Sequence, residues 1–140
     1  MTGKVLIVDD EPDVLLLLRV NLEAAGYQTV LAADGETALS RIDDSQPDVV
    51  LLDIMMPVMD GWGVLRALSE LESAPRVVVV SAKSSDRDIV RALTSGALDY
   101  VTKPFDPDDL VDVVARTVGD PLEKLAKHRD DMIERCGGRD

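Results

Sequence analysis

The chain has 140 residues, of which 46% are hydrophobic and 30% are charged, a composition typical of one folded domain and not of a disordered segment. Its formal net charge is −12, from 27 acidic and 15 basic residues. This balance argues against direct nucleic-acid binding, which needs a basic surface, and it favours binding of cations or of basic protein surfaces.

Five short apolar runs alternate along the chain with helical patterns. The continuous runs at residues 5–8, 49–52 and 77–80 are rich in β-branched residues, which is typical of strands buried on both faces of a parallel sheet. Weaker runs at residues 28–32 and 100–102 complete a set of five predicted strands.

A helical pattern follows each predicted strand. Apolar residues at helical spacing, together with capping residues, prolines near the starts and glycines past the ends, predict five helices at residues 12–25, 35–42, 61–71, 86–94 and 107–118. This alternation predicts a doubly wound α/β domain, with helices on both faces of a parallel sheet, over residues 1–119.

Residues 120–140 form an extension to this domain. Asp120, Pro121 and Glu123 match a capping box, which predicts an extra helix. The heptad-like apolar spacing is a weak coiled-coil signal because Arg129 interrupts it. A surface helix or a linker stub is the preferred interpretation, although the extension could support a homodimer. It is too short to be a DNA-binding or enzymatic output domain.

Polar residues follow the predicted strands at the edge where parallel strands end. The first strand leads into Asp9 and Asp10, the third into Asp53, the fourth into Ser81 and the fifth into Lys103. Ligands bind at the carboxyl ends of strands in open α/β sheets, and neighbouring strands lie about 5 Å apart, so we expect these groups to converge. Crowded carboxylates repel each other, which favours a Mg²⁺ ion between them. A carboxylate beside Mg²⁺ and a lysine can attack a phosphoryl group to form an aspartyl phosphate.

Each of these residues also has a simpler interpretation. Asp9 and Asp10 could cap the helix that begins near residue 12, and Asp53 could form a turn before Pro57. The serine and the lysine could be ordinary loop and surface groups. Their joint placement at one edge of the sheet favours a functional site.

Four segments taken in order carry a family resemblance. VLIVDDEP, VVLLDIMMPVMDG, VVVVSAKSS and GALDYVTKPF together resemble the receiver domain of bacterial two-component response regulators. The resemblance covers about residues 3–119. It implies a flavodoxin-like fold with strand order 2-1-3-4-5 and a signalling protein that catalyses only its own phosphorylation and dephosphorylation.

The resemblance also implies a role for each candidate site residue. Asp53 would accept the phosphoryl group from a sensor histidine kinase, a phosphotransfer protein or a small phosphodonor. The Mg²⁺ ligands would be Asp10 directly, Asp9 through water, Asp53, and the backbone carbonyl of Met55. Lys103 would pair with the phosphoryl oxygens.

Ser81 and Tyr100 resemble the switch residues of the family. Phosphorylation would draw the Ser81 hydroxyl towards the new oxygens, and the Tyr100 ring would turn into the space that is vacated. The surface formed by the fourth helix, fifth strand and fifth helix would then change its binding of a downstream effector protein or output domain. A half-buried aromatic on an edge strand is the simpler interpretation of Tyr100. The Lys103–Pro104 peptide bond would be cis.

Three other functions are alternatives to a phosphorylated receiver. A flavin-binding domain would need a phosphate cradle rich in small residues after the first strand, where this chain has acids. An aspartyl phosphatase would need a second acid two residues after the nucleophile, where Met55 stands. A degenerate receiver that binds partners without phosphorylation is the remaining alternative.

Several features bear on metals, disulfides and location. His128 and Cys136 are the only histidine and cysteine, which excludes a histidine-rich metal site and an internal disulfide. The apolar runs are too short to span a bilayer, and the N-terminal residues lack the hydrophobic segment of a signal peptide. We therefore expect a cytoplasmic protein with no membrane partner.

Overall fold

The computed structural model describes residues 3–137. Strands and helices alternate regularly along this part of the chain. The strands are β1 (Lys4–Val8), β2 (Gln28–Ala32), β3 (Val49–Leu52), β4 (Arg76–Ser81) and β5 (Asp99–Thr102). The helices are α1 (Pro12–Ala24), α2 (Gly35–Ser45), α3 (Gly61–Ser69), α4 (Asp86–Thr94), α5 (Pro107–Gly119) and α6 (Leu122–Arg135).

The five strands form one parallel sheet in the order β2-β1-β3-β4-β5. The predicted flavodoxin-like fold is therefore confirmed. In the register of the sheet, Val8 at the end of β1 pairs with both Ala32 and Leu52, and Leu52 pairs with Val79. The strands thus end close to one level, so the residues that follow them start from the same edge.

Helices cover both faces of the sheet, which explains why β3 is apolar throughout. Val50 and Leu52 pack in a core cluster with side chains of α2, α3 and α4, whereas Val49 and Leu51 pack in a second cluster with α1 and α5. All four residues of β3 are at most 1% exposed. A strand buried on both sides loses the alternation of polar and apolar residues that marks half-exposed strands.

The predicted ends of two helices were wrong by two or three residues. Helix α2 continues to Ser45, three residues beyond the prediction, and its C-cap Gln46 adopts a left-handed conformation with φ of 50°. The last turn includes the exposed Asp43 and Asp44, so the apolar pattern stops before the helix does. Helix α3 ends at Ser69, two residues before the predicted end.

The capping box predicted at the start of α6 was also wrong. Asp120 is the C-cap of α5, and its backbone N–H donates to the Arg116 carbonyl at 2.9 Å. Pro121 is therefore the N-cap of α6, with no side-chain capping bond. Since Asp120 ends the preceding helix, it does not cap the next one.

The connection between α5 and α6 is fixed to the sheet. Arg76, the first residue of β4, donates through Nη1 to the carbonyls of Thr117 and Asp120, both at 2.8 Å.

Within residues 3–137, no helix combines the length and the apolar character that crossing a membrane would require.

Candidate functional site

Three carboxylates meet where β1 and β3 end. One oxygen from each of Asp9, Asp10 and Asp53 lies within 4.8 Å of an oxygen from each of the others. Asp9 and Asp53 are 2% and 4% exposed, whereas Asp10 faces solvent. The site therefore contains two buried acids and one acid at its mouth.

The backbone holds one oxygen of each buried acid. The Glu11 N–H donates to Asp9 Oδ1 at 2.9 Å, and the Met55 N–H donates to Asp53 Oδ1 at 3.1 Å. Each acid thus forms a local turn, as the simpler interpretation of Asp53 expected. The helix-capping interpretation of Asp9 and Asp10 is wrong, because Glu11 is the N-cap of α1 and no side-chain cap is formed. The second oxygens, Oδ2, remain directed to the site.

Lys103 joins the two buried acids from the end of β5. Its Nζ atom lies 2.7 Å from Asp9 Oδ2, 3.1 Å from Asp53 Oδ2 and 3.8 Å from Glu11 Oε1. The lysine side chain is only 15% exposed. The Lys103–Pro104 peptide bond that precedes α5 is cis, as the resemblance implied.

The charges in this cluster are not balanced. Burial raises the pKa of Asp9, and the hydrogen bond from Lys103 only partly opposes this effect. Burial alone would lower the pKa of Lys103, but its hydrogen bonds to Asp9 and Asp53 outweigh burial and raise it. The lysine is thus firmly charged, while a buried carboxylate lacks full compensation. A further cation would be favourable here.

The set of donors fits a hard divalent cation. Asp9, Asp10 and Asp53 offer only carboxylate oxygens, and such ligands select Mg²⁺ or Ca²⁺ over the softer transition metals. Burial raises the pKa of Asp9, so a cation beside this carboxylate would offset the cost of its charge.

Ser81 and Tyr100 lie beside this cluster. Ser81 ends β4, is fully buried, and its Oγ accepts from the Lys83 N–H at 3.2 Å. Tyr100 is 7% exposed, and its hydroxyl donates to the Lys83 carbonyl at 2.5 Å. Burial raises the pKa of Tyr100, and a contact with Ser81 opposes this effect. The ring is therefore turned into the protein, which differs from the half-buried placement of the simpler interpretation.

A shallow cleft opens beside the carboxylates. It is lined by Asp10, Ile54, Met55, Met56, Asp60, Trp62 and Lys83. Met55 is 54% exposed at this opening. Trp62 packs at the start of α3, with the Arg91 guanidinium 3.9 Å from the centroid of its ring.

Gly61 positions the backbone of Asp53, whereas its sequence pattern predicts only a turn and the start of a helix. A Cβ atom at this position would lie 2.5 Å from the Asp53 carbonyl oxygen and 2.6 Å from Ile54 Cα. The Gly61 N–H also donates to the Ile54 carbonyl at 2.9 Å. The start of α3 thus packs directly on the backbone that holds Asp53. In the sequence, only the glycine in the first turn of this helix indicates the close contact. Glycine is a poor helix former, so its presence in a helix points to a requirement of packing.

Comparison with known proteins identifies the family. Residues 5–115 match the response regulator receiver domain. The chain is 40% identical over 110 residues to the alkaline phosphatase synthesis transcriptional regulatory protein PhoP of Bacillus subtilis, which covers 79% of this chain and 46% of that protein. It is 47% identical over 107 residues to the transcriptional regulatory protein KdpE of Mycobacterium tuberculosis, covering 76% and 47%.

A solved structure agrees with these matches. The BeF3-activated N-terminal receiver domain of Klebsiella pneumoniae RstA superposes with a TM-score of 0.78 at 30% identity, covering 84% of this chain and 99% of that one. The chain spans about half the length of the curated relatives it matches. Because those relatives are named as transcriptional regulators, they give no support to the expectation of no direct nucleic-acid contact. This chain belongs to the response regulator receiver domain family.

Proposed function

We propose that this chain is a phosphorylation-dependent switch in which Asp53 accepts a phosphoryl group from a sensor histidine kinase or a phosphotransfer protein. The reaction depends on Mg²⁺ and takes place in the cytoplasm. The chain catalyses only its own phosphorylation and dephosphorylation. Its output passes to a downstream effector protein or to an output domain.

The observation that carries this proposal is the joint position of Asp53 and Lys103. Asp53 is buried, yet its Oδ2 atom faces the site and lies 3.1 Å from Lys103 Nζ. A carboxylate held in this way is oriented for attack, and the adjacent ammonium group can offset charge on the phosphoryl oxygens.

Magnesium is the proposed cofactor. Asp9, Asp10, Asp53 and the backbone carbonyl of Met55 would hold it, with Asp10 as the direct ligand and Asp9 acting through water. When bound, the ion supplies positive charge that offsets the negative charge of the phosphoryl oxygens. The incompletely compensated charge of Asp9 supports this assignment.

The chain's own groups then act in a simple sequence. An Asp53 oxygen forms a bond to phosphorus while the bond from phosphorus to the donor's imidazole nitrogen breaks, and the imidazole leaves and takes up a proton. Lys103 turns from the Asp53 carboxylate to the new phosphoryl oxygens. The Met55 N–H continues to orient the Asp53 carboxyl group.

The signal leaves the site through Ser81 and Tyr100. In the structure the Ser81 hydroxyl accepts from the Lys83 N–H, and the Tyr100 hydroxyl donates to the Lys83 carbonyl. A phosphoryl group that attracts the Ser81 hydroxyl would therefore pull on the loop that contains Lys83, which Tyr100 also contacts. Both residues meet at Lys83, which supports their assignment as the switch pair.

Acyl phosphate formation tests the proposal directly. Incubation with acetyl phosphate and Mg²⁺ should add one phosphoryl group, detected by intact-protein mass spectrometry as a modification labile to hydroxylamine. Asp53→Asn should abolish it, because an amide oxygen is a poor nucleophile. Asp44→Asn, at an exposed position on α2, is the matched control and should be phosphorylated like the parent.

The degenerate-receiver alternative makes the opposite prediction. If the parent protein takes up no phosphoryl group, or if Asp53→Asn is labelled at the parent's rate, Asp53 is not the phosphoacceptor. Omission of Mg²⁺ should reduce labelling strongly. Labelling that is independent of divalent cations would contradict the proposed role of Mg²⁺.

A further inference from the structure

The C-terminal helix α6 packs mainly against α4, next to the start of β5 at the edge of the sheet. The face concerned is formed by α4, β5 and α5, and we call it the α4–β5–α5 face. Leu125 of α6 is 3% exposed, and Met132 and Ile133 pack against the core cluster that contains Ala92 and Tyr100. The helix is therefore seated on the domain by its own apolar side chains.

A polar cluster fixes α6 to this face. Asp99 is 5% exposed at the start of β5, and its Oδ2 atom accepts from Arg116 Nη2 at 3.0 Å. His128 Nε2 of α6 lies 3.2 Å from the same oxygen, although its orientation is not that of a hydrogen bond. One buried carboxylate thus contacts a cation of α5 and the imidazole of α6.

The two ends of α6 are placed by separate contacts. Its start is held near the base of β4, because Arg76 binds the carbonyl of Asp120 two residues before the helix begins. Its end lies on the side of α4, against which α6 packs, and burial, with a smaller effect of the Asp86 carboxylate, raises the pKa of the Cys136 thiol. The helix therefore begins near the base of β4, contacts the start of β5 through His128, and packs against α4.

Tyr100 connects α6 to the phosphorylation site. The inward ring of Tyr100 belongs to the cluster on which Met132 and Ile133 pack, and Tyr100, His128 and Met132 border one cleft. A Tyr100 ring that turned outward would enter the space next to these α6 side chains. The position of the ring and the docking of the helix are therefore not independent.

We propose that α6 is the intramolecular occupant of the α4–β5–α5 face, and that its docking strengthens when the phosphorylation site draws Tyr100 inward. This regulatory role rests on the proposed function. Docking of α6 and inward Tyr100 favour each other, so by linkage each stabilises the other by the same free energy. Any other protein that binds this face must displace a helix tethered next to it, which acts at a high effective concentration.

Hydrogen exchange of the full chain tests this inference. Exchange of the amides of Leu122–Arg135 should slow by about 5-fold or more, the lower end of typical coupling, when beryllofluoride and Mg²⁺ are added. Fluorine NMR of the same samples shows whether beryllofluoride is bound. The two readouts separate the coupling of α6 from the chemistry of Asp53.

Substitutions on the contact supply the controls. Asp99→Asn should speed exchange of α6 roughly tenfold in both states, because it removes the charge that contacts Arg116 and His128. Glu134→Gln makes the same charge change on an exposed position of α6 and should leave exchange unchanged. If Asp99→Asn fails to fold, His128→Gln addresses the same contact from a side chain that is 34% exposed.

The outcomes are distinguishable. Bound beryllofluoride with unchanged or faster exchange of α6 overturns the coupling and leaves the proposed function intact. Unchanged exchange in both Asp99→Asn and His128→Gln overturns the assignment of the polar cluster as the contact that holds α6. If fluorine NMR detects no bound beryllofluoride and acetyl phosphate adds no phosphoryl group, the proposed function fails, and the regulatory role of α6 fails with it.

Discussion

A single lysine side chain faces three carboxylates at the edge of the sheet. Lys103 Nζ is within 4.0 Å of Asp9, Glu11 and Asp53, and two of these acids are buried. One positive charge cannot neutralise all of them, and burial in a medium of low polarity makes the excess negative charge unfavourable. This excess of negative charge is the physical basis for the cation proposed at this site.

At the residue scale, this imbalance predicts that Asp9→Asn stabilises the fold in the absence of divalent cations. Because burial raises the pKa of Asp9, its charged form is disfavoured in the folded state, and the neutral amide removes that penalty. We expect a gain of about 1 kcal/mol, or roughly 3–5 °C in Tm, measured by thermal unfolding in a chelator.

The raised pKa of Asp9 also determines the pH range in which Asp9→Asn stabilises the fold. Below the ordinary carboxyl pKa of 3.8, Asp9 is protonated in both the folded and the unfolded protein. Removal of its charge therefore does not change the free energy of unfolding in this pH range. The advantage should grow as the pH rises from 3.8 to the raised pKa of the folded protein, and stay constant above it. An advantage of Asp9→Asn that is largest in acid would contradict the direction of the shift. Asp44→Asn, at an exposed position on α2, is the matched control.

At the element scale, helix α3 packs against the backbone of Asp53 and of the loop that follows it. The Asp60 side chain caps the helix by accepting from the Gly63 N–H at 3.1 Å, and Gly61 lets the helix approach the backbone of Asp53 and Ile54. The sequence predicts the start of the helix from this Asp-Gly pair. It does not show what the helix packs against, because close approach of two backbones leaves no pattern in the residues.

Gly61→Ala should therefore damage both stability and the site. The added methyl group would lie 2.5 Å from the Asp53 carbonyl oxygen, and the neighbouring atoms are backbone atoms that cannot rotate away. We expect a loss of about 1–3 kcal/mol in the free energy of unfolding and weaker beryllofluoride binding, measured by denaturant unfolding and fluorine NMR.

Gly119→Ala is the matched control for this substitution. A Cβ atom at Gly119, the last residue of α5, would meet no atom within 4 Å, so the substitution should be neutral or slightly stabilising. Equal effects of the two alanine substitutions would show that Gly61 acts through helix propensity and not through contact with the Asp53 backbone.

At the scale of the whole molecule, the sequence predicts the architecture better than the packing of its last helix. Continuous β-branched runs identify the inner strands, and the rule that parallel strands end at one edge brings Asp9, Asp53 and Lys103 together before any coordinates are known. The division into residues 1–119 and 120–140 stays a prediction. The position of α6 on the α4–β5–α5 face was not predicted. The spacing of apolar residues identifies the apolar side of a helix but not the surface against which it packs.

Binding of magnesium should stabilise the whole molecule. An ion that binds only the folded state raises the free energy of unfolding by about 2.7 kcal/mol at 100 times its dissociation constant, and a chelator should reverse the gain. Thermal unfolding across a Mg²⁺ series measures this effect. Asp9→Asn should reduce the dependence on Mg²⁺, whereas Asp44→Asn should retain it. A Tm that does not respond to Mg²⁺ would contradict the proposed metal site.

The contact between Trp62 and Arg91 has a practical consequence. Trp62 is the only tryptophan in the chain, and the Arg91 guanidinium of α4 stacks 3.9 Å from the centroid of its indole ring on α3. A shift of α4 against α3 changes the electrostatic environment of the indole and therefore its emission. The protein thus contains a native fluorophore at the contact between these two helices. The rate of a rearrangement of α4 can therefore be measured from tryptophan emission by stopped-flow fluorescence, without attaching a dye.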